Sequence, residues 1–145
     1  MRKAGSVKNF IEQNNISTGI MSALVRNNVP FVLAGSIRDD GPLPDVIPNV
    51  YQAQDAMRAH TCEATTVIAL ATQLHTIATG NMTPSYQVVG GKVRPVYFYV
   101  VDISEFAVNK LKDRGSLSAT GVVTNIQDFI VNTKRNLIDG GEANG

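Results

Sequence analysis

The chain has 145 residues, with thirteen Lys and Arg against twelve Asp and Glu, a formal net charge of +1 and one cysteine. That length fits one domain able to bury a core without staples. The balanced charge, with no basic block, argues against nucleic acid as a partner, and a lone Cys62 excludes an internal disulfide framework or a multi-cysteine zinc site.

Met1-Arg2-Lys3-Ala4-Gly5 is followed by Ser6-Val7-Lys8-Asn9 instead of an apolar stretch, so no signal peptide is expected. No apolar run approaches the roughly 20 residues of a membrane span. With cysteine so scarce, the expectation is a soluble cytoplasmic protein with no membrane partner.

Val7, Phe10 and Ile11 give the i, i+3, i+4 spacing of a short amphipathic helix over about residues 6–13. Ser17 or Thr18 is placed to cap a second helix, which carries Ile20, Met21, Leu24 and Val25 and stops near Asn27-Asn28. Phe31-Val32-Leu33-Ala34 reads as a strand buried on both faces of a parallel sheet, ending at Gly35. The segment from Ser36 to Asp45 is polar, broken by proline and long, as expected of a functional loop. After Pro48 a third helix carries Val50, Ala53, Gln54 and Met57.

Thr65 to Ala71 is a second buried strand running straight into a helix from Thr72 to Ala78. Such a βα junction is where α/β sheets hold ligands. Tyr86 to Val89, Gly90-Gly91 and Lys92 to Arg94 predict a hairpin. A third strand over Val96 to Val101 leads through Asp102 to Ser104, a cap for the helix bearing Phe106, Val108 and Leu111. Ala119 to Val123 makes a fourth strand, Asn125 caps a last helix through Phe129 and Ile130, and residues 139–145 are expected to form a flexible tail. The alternation predicts an α/β fold, a parallel sheet with helices on both faces.

No Gly-x-Gly-x-x-Gly or Gly-x-x-x-x-Gly-Lys-Ser/Thr motif is present, so phosphate binding has to come from strand ends and helix N-termini. Gly35-Ser36-Ile37-Arg38-Asp39-Asp40 offers a glycine for close approach, a hydroxyl, a guanidinium for phosphate or carboxylate, and two carboxylates. The alternative is an Arg38–Asp40 ion pair that pins the loop. Asp102 can accept ribose hydroxyls or serve as a turn aspartate. His75 can act as acid or base, or be an ordinary hydrogen-bonded histidine. His60 reads as surface, Cys62 as inert, and no metal site is expected.

Four stretches together resemble one family: the run from Phe31 to Val46, Ala71-Thr72-Gln73-Leu74-His75-Thr76-Ile77-Ala78-Thr79-Gly80-Asn81-Met82, Val101-Asp102-Ile103-Ser104, and Asp113-Arg114-Gly115-Ser116. The family, once labelled the lysine-ketoglutarate reductase/saccharopine dehydrogenase conserved region, includes archaeal ornithine cyclodeaminases and the C-terminal part of cyanobacterial bifunctional arginine dihydrolase/ornithine cyclodeaminases. Arg94-Pro95-Val96-Tyr97-Phe98-Tyr99 and Asn125-Ile126-Gln127-Asp128-Phe129 lean towards the cyanobacterial branch.

The resemblance implies a Rossmann-like fold related to the deoxyhypusine synthase type, bound NAD as cofactor, and conversion of ornithine to proline with release of ammonia. It further implies that residues 1–138 form the second half of a dinucleotide domain. That half would be inactive alone, lacking an N-terminal part and any arginine dihydrolase activity. Under it, Ser17, Thr18, Gly19, Gly35, Ser36, Arg38, Asp39, Thr72, Asn81, Asp102 and Ser104 would bind the cofactor, and Asp40 or His75 would transfer protons. A homo-oligomer is expected from surface left open by the missing part. The alternative is a non-catalytic nucleotide-binding or interaction subunit that completes its fold with a partner chain.

Overall fold

A computed structural model describes residues 1–35, 43–114 and 119–138. The chain divides into two compact units, Met1–Met57 and Arg58–Gly145, with the division falling inside one helix.

In the first unit, Ser6 is extended and its hydroxyl accepts from the Asn9 backbone N–H at 3.0 Å, capping α1 (Val7–Gln13). Val7 and Ile11 form its buried stripe, and the Val7 N–H donates to the Asp45 carboxylate at 2.7 Å. Asn15, at φ 50°, ends the helical path. The next helix, α2 (Ile20–Arg26), corrects one expectation. Its N-cap is Gly19 at φ 92°, ψ 162°, and neither Ser17 nor Thr18 caps it. Glycine tolerates that backbone and most residues do not, and the turn made there leaves the two hydroxyl residues upstream of the position from which first-turn N–H groups can be reached.

The apolar run at 31–34 contributes only β1 (Leu33–Ala34), parallel to β2 (Val46–Ile47) with Leu33 opposite Val46. Leu33 is half-buried and Ala34 exposed, so this is not the doubly buried strand that its composition suggested. Continuous hydrophobicity reports only that a run can be buried; its partner here is a two-residue strand. Asn49 starts α3 (Val50–Thr61) by accepting from the N–H groups of Tyr51 and Gln52 at 3.0 and 3.1 Å.

The second unit runs β3 (Thr66–Leu70), α4 (Leu74–Met82), β4 (Tyr86–Val89), β5 (Lys92–Pro95), β6 (Tyr97–Asp102), α5 (Glu105–Arg114), β7 (Ala119–Val123) and α6 (Ile126–Ile138). β3, β6 and β7 form a parallel sheet in that order. The antiparallel β4–β5 hairpin turns on Gly90 and Gly91, at φ 58° and 76°, the two positive values that a two-residue turn of type I′ requires.

Register fixes the faces of the sheet. Val67 lies beside Phe98 and Ala119, and Ala69 beside Val100 and Gly121, so these residues share one face. Phe98 and Val100 are its buried centre, with Ile77 of α4 against them. Val108 of α5 lies on Gly121 of the same face. On the opposite face Val101 is 0% exposed. There Val122 and Thr124 line a groove of about 470 Å³ with Phe129 and Thr133 of α6. Two helices thus cover one face and α6 the other, a Rossmann-type α/β arrangement. Ile68 and Tyr97 on the α6 side remain 47% and 55% exposed.

Candidate functional site

Three parallel strands bring three chain exits to one edge of the sheet. The ladder continues past β3 as the Ala71 N–H donates to the Val101 carbonyl at 3.1 Å, and past β7 as the Thr124 N–H donates to the Asp102 carbonyl at 3.0 Å. The residues beyond, Thr72 to His75, Ile103 to Glu105 and Thr124 to Asn125, are therefore neighbours although widely spaced in sequence. This is the edge at which open α/β sheets bind ligands.

At the first exit Ala71 has φ 50°, a left-handed conformation that a Cβ-bearing residue rarely adopts and that turns the chain out of the sheet. Thr72 follows. Its hydroxyl lies 3.0 Å from Nδ1 of His75, and its carbonyl accepts from the Thr76 hydroxyl. His75 is exposed and held by this one side-chain bond, which occupies Nδ1 and leaves Nε2 without a partner among the described residues. Gln73 occupies the N-cap position of α4 with no capping hydrogen bond from its side chain. Its Nε2 is buried without a hydrogen-bond partner.

At the second exit the half-buried Asp102 accepts the Ser104 N–H on Oδ1 at 2.8 Å, and Ser104 Oγ accepts from the Ala107 N–H at 3.3 Å. Both residues thus have local jobs in starting α5. The second carboxylate oxygen of Asp102 has no partner among the described residues and can still accept hydroxyls. At the third exit Asn125 Oδ1 accepts the Gln127 N–H at 2.8 Å, capping α6.

Of the residues expected at a ligand site, Thr72, His75, Asp102 and Ser104 meet at this edge. Asn81 does not. It lies seven residues beyond the start of α4, about 10 Å along the axis and away from the edge. Ser17, Thr18 and Gly19 belong to the first unit. There the Ser17 carbonyl accepts from the Arg26 guanidinium, and Ser17 and Arg26 border a groove of about 460 Å³ between α1 and α2. Gly35 is also in that unit. Its N–H donates to the Ile47 carbonyl at 3.0 Å, and a Cβ there would lie 3.3 Å from that oxygen and 3.4 Å from Pro48 Cα. The close approach it permits is to its own chain. Ser36, Arg38, Asp39 and Asp40 lie outside the described residues.

Gln73 lies within one of the family-like stretches, yet a single glutamine between Thr72 and Leu74 breaks no periodicity and nothing in the sequence singles it out; only burial of its amide marks it. His60 and Cys62 are exposed. Among the described residues no group of His, Cys, Asp and Glu could hold a metal ion, and no helix is long and apolar enough to cross a membrane.

Comparison with known proteins agrees with this architecture. Ornithine cyclodeaminase of Methanothermobacter thermautotrophicus is 49% identical over 130 residues, covering 90% of this chain and 29% of the relative. The bifunctional arginine dihydrolase/ornithine cyclodeaminase AgrE of Nostoc is 42% identical over 130 residues, again 90% of this chain but 17% of the relative. The chain therefore spans under a third of the length of these relatives.

Among solved structures, the ternary complex of AgrE with ornithine and NAD⁺ superposes with a TM-score of 0.79 at 41% identity, covering 94% of this chain and 19% of that one. A conserved putative LOR/SDH protein from Methanococcus maripaludis gives 0.76 at 46% identity, covering 89% and 37%. The model of the family described as arginine dihydrolase ArgZ-like, C-terminal, Rossmann fold matches residues 1–133, and the chain belongs to that family.

Proposed function

We propose that this chain is the second half of an NAD-binding domain of an ornithine cyclodeaminase-like lyase, which forms proline and ammonia from ornithine in the cytoplasm. The half is inactive without a preceding segment like that of its longer relatives. The observation that carries the reading is the sheet edge itself, with the unshared Asp102 oxygen beside the Thr72–His75 pair. That edge belongs to a fold matching a structure of AgrE with ornithine and NAD⁺.

The residues fit a dinucleotide. A carboxylate at a strand end accepts ribose hydroxyls, and it disfavours the 2′-phosphate of NADP. The first turn of α4 carries no side-chain cap, which leaves N–H groups for an anion. When bound, the nicotinamide would supply a site for hydride removal and return. The chain's own part is to hold the ring system, through Asp102 and the α4 turn, and to manage a proton. With Nδ1 engaged by Thr72, His75 would exchange that proton at Nε2.

Support for dependence on further protein is twofold. The chain covers 29% of its archaeal relative, and Ile68 and Tyr97 leave apolar surface open on one sheet face. A homo-oligomer that covers this surface is the form expected in solution. Calorimetric titration with NAD, paired with mass by light scattering, tests the reading. Binding by an oligomer supports a self-completed cofactor site and justifies an ornithine turnover assay. A monomer that binds NAD without turnover favours the non-catalytic nucleotide-binding subunit, and no binding at millimolar NAD removes the cofactor reading for this chain alone.

A further inference from the structure

The β4–β5 hairpin carries apolar side chains that its own unit does not cover. β5 runs on into β6: the Val96 N–H donates to the Ser85 carbonyl at 2.9 Å, and the Tyr97 N–H donates to the Thr65 carbonyl of the β3 side at 3.0 Å. The chain is therefore extended through Val96, so Val93, Pro95 and Tyr97 share one face while Val96, 1% exposed, takes the other. Across the hairpin Tyr86 stands opposite Pro95 and Val88 opposite Val93, which puts both on that same face. Ile68 of β3, diagonal to Tyr97, extends it. Tyr86, Val88 and Val93 are 65%, 69% and 71% exposed, and Pro95 is exposed as well.

No charged residue belongs to this strip. Lys92 and Arg94 alternate with Val93 and Pro95 and take the opposite face of the hairpin. Gln87 takes that face too, and its carboxamide donates to the Cys62 carbonyl, tying it to its own unit. The uncovered face is left with an apolar surface on a two-stranded hairpin, an arrangement that is marginal in water without further packing.

We propose that the strip formed by Tyr86, Val88, Val93, Pro95, Tyr97 and Ile68 is the interface of a twofold homodimer, two copies packing hairpin against hairpin. The inference rests on the homo-oligomer expected above, whose interface it names, and is independent of the NAD site. Area and charge both favour a second copy as the occupant. The exposed parts of these side chains amount to roughly 500–600 Å² of apolar surface, the upper end of what a monomer shows. Face to face, two copies remove about 1,000–1,200 Å² of it from water, which with a polar rim reaches the roughly 1,200–2,000 Å² of a stable complex. An uncharged strip meets its own copy without like-charge repulsion, whereas an acidic or basic partner finds nothing on it to pair with.

The test is light scattering of the full chain over a dilution series, which gives a dimer dissociation constant, with hydrogen exchange at high and low concentration to locate the covered surface. Val88→Lys and Val93→Lys each place an ammonium in the strip, twice per dimer because the interface is symmetric. Phe106→Lys, at a residue 72% exposed on α5 across the sheet, is the control. Far-UV circular dichroism follows the fold of each protein. The expected result is a dimer for the original chain and for Phe106→Lys, and a dissociation constant at least tenfold higher in both hairpin variants with an unchanged spectrum. In the original chain, exchange through residues 86–97 should be slower at high concentration than at low.

A dimer that persists in both hairpin variants, or exchange through residues 86–97 that does not depend on concentration, overturns the inference and leaves the homo-oligomer standing. If the lysine variants unfold, the exchange comparison on the original chain decides alone. A monomeric original chain removes the homo-oligomer and the inference together and assigns the strip to a different protein segment. NAD titration of the same variants reads the cofactor site separately, and its failure bears on that reading only.

Discussion

The contact between α5 and β7 invites a direct test through Gly121→Ala. β7 is an edge strand, yet a Cβ at Gly121 would stand 2.1 Å from Val108 Cγ1 and 3.6 Å from Val108 Cβ. Val108 cannot swing clear at small cost. It is 3% exposed on a helix, where a β-branched side chain keeps one strongly preferred rotamer. Overpacking of this kind costs about 1–3 kcal/mol. Replacing glycine in a strand returns about 0.5–1 kcal/mol through the unfolded state. The net loss is then centred near about 1 kcal/mol and reaches about 2.5 kcal/mol, read as a lower urea midpoint by far-UV circular dichroism.

A companion change separates crowding from any generic effect on the strand. Val108→Ala alone opens a cavity and costs about 1–2 kcal/mol. In the double variant the new alanine at 121 enters space that the valine vacated, so the combined loss falls short of the sum by about 1 kcal/mol or more. A Gly121→Ala chain as stable as the original, or strictly additive losses, would refute the account of α5 resting on a glycine floor.

Other expectations follow from the same contacts. Asp102→Asn keeps an oxygen for the Ser104 N–H and removes the charge and one acceptor, so NAD affinity in calorimetry should fall about tenfold with little change in melting temperature. Equal losses of stability and affinity would return Asp102 to a purely structural role. Asn49→Ala removes an acceptor serving two first-turn N–H groups of α3 and should cost about 1 kcal/mol in urea unfolding. Gly19→Ala places a Cβ at φ 92° and should destabilise the start of α2 by about 1–3 kcal/mol, seen as earlier hydrogen exchange through residues 20–26; unchanged exchange there would argue against strain. Phe98→Ala, at the centre of the buried sheet face, should cost about 3–5 kcal/mol, and a small shift in the urea midpoint would mean that this face collapses around the gap.

What the sequence determined by itself was local. Hydrophobic runs and the Gly90-Gly91 turn place β3, the hairpin, β6 and β7 to within a residue or so, because each depends on dihedral preferences and side chain to backbone bonds within a few positions, whereas α4 and α6 run on to Met82 and Ile138, beyond the ends their sequence suggests. Ser104 and Asn125 cap as their positions suggested. The gathering of Thr72, His75, Asp102 and Ser104 at one edge was partly legible too, since each ends or follows a strand, and strand ends of a parallel sheet share an edge by construction.

Tertiary structure decided what depends on partners distant in sequence. It made the run at 31–34 a two-residue strand beside Val46–Ile47, and put the end of β3 next to the end of β6. It also turned Gly35 towards the Ile47–Pro48 backbone and carried Asn81 down α4 from the edge. Ser17 and Thr18 lost their expected capping role to the conformation of Gly19, a backbone choice that their own chemistry could not announce. Gln73 shows the limit most sharply. A glutamine in sequence carries no sign of its surroundings, and whether its amide meets water, a partner or neither is set by which strands and helices close over it.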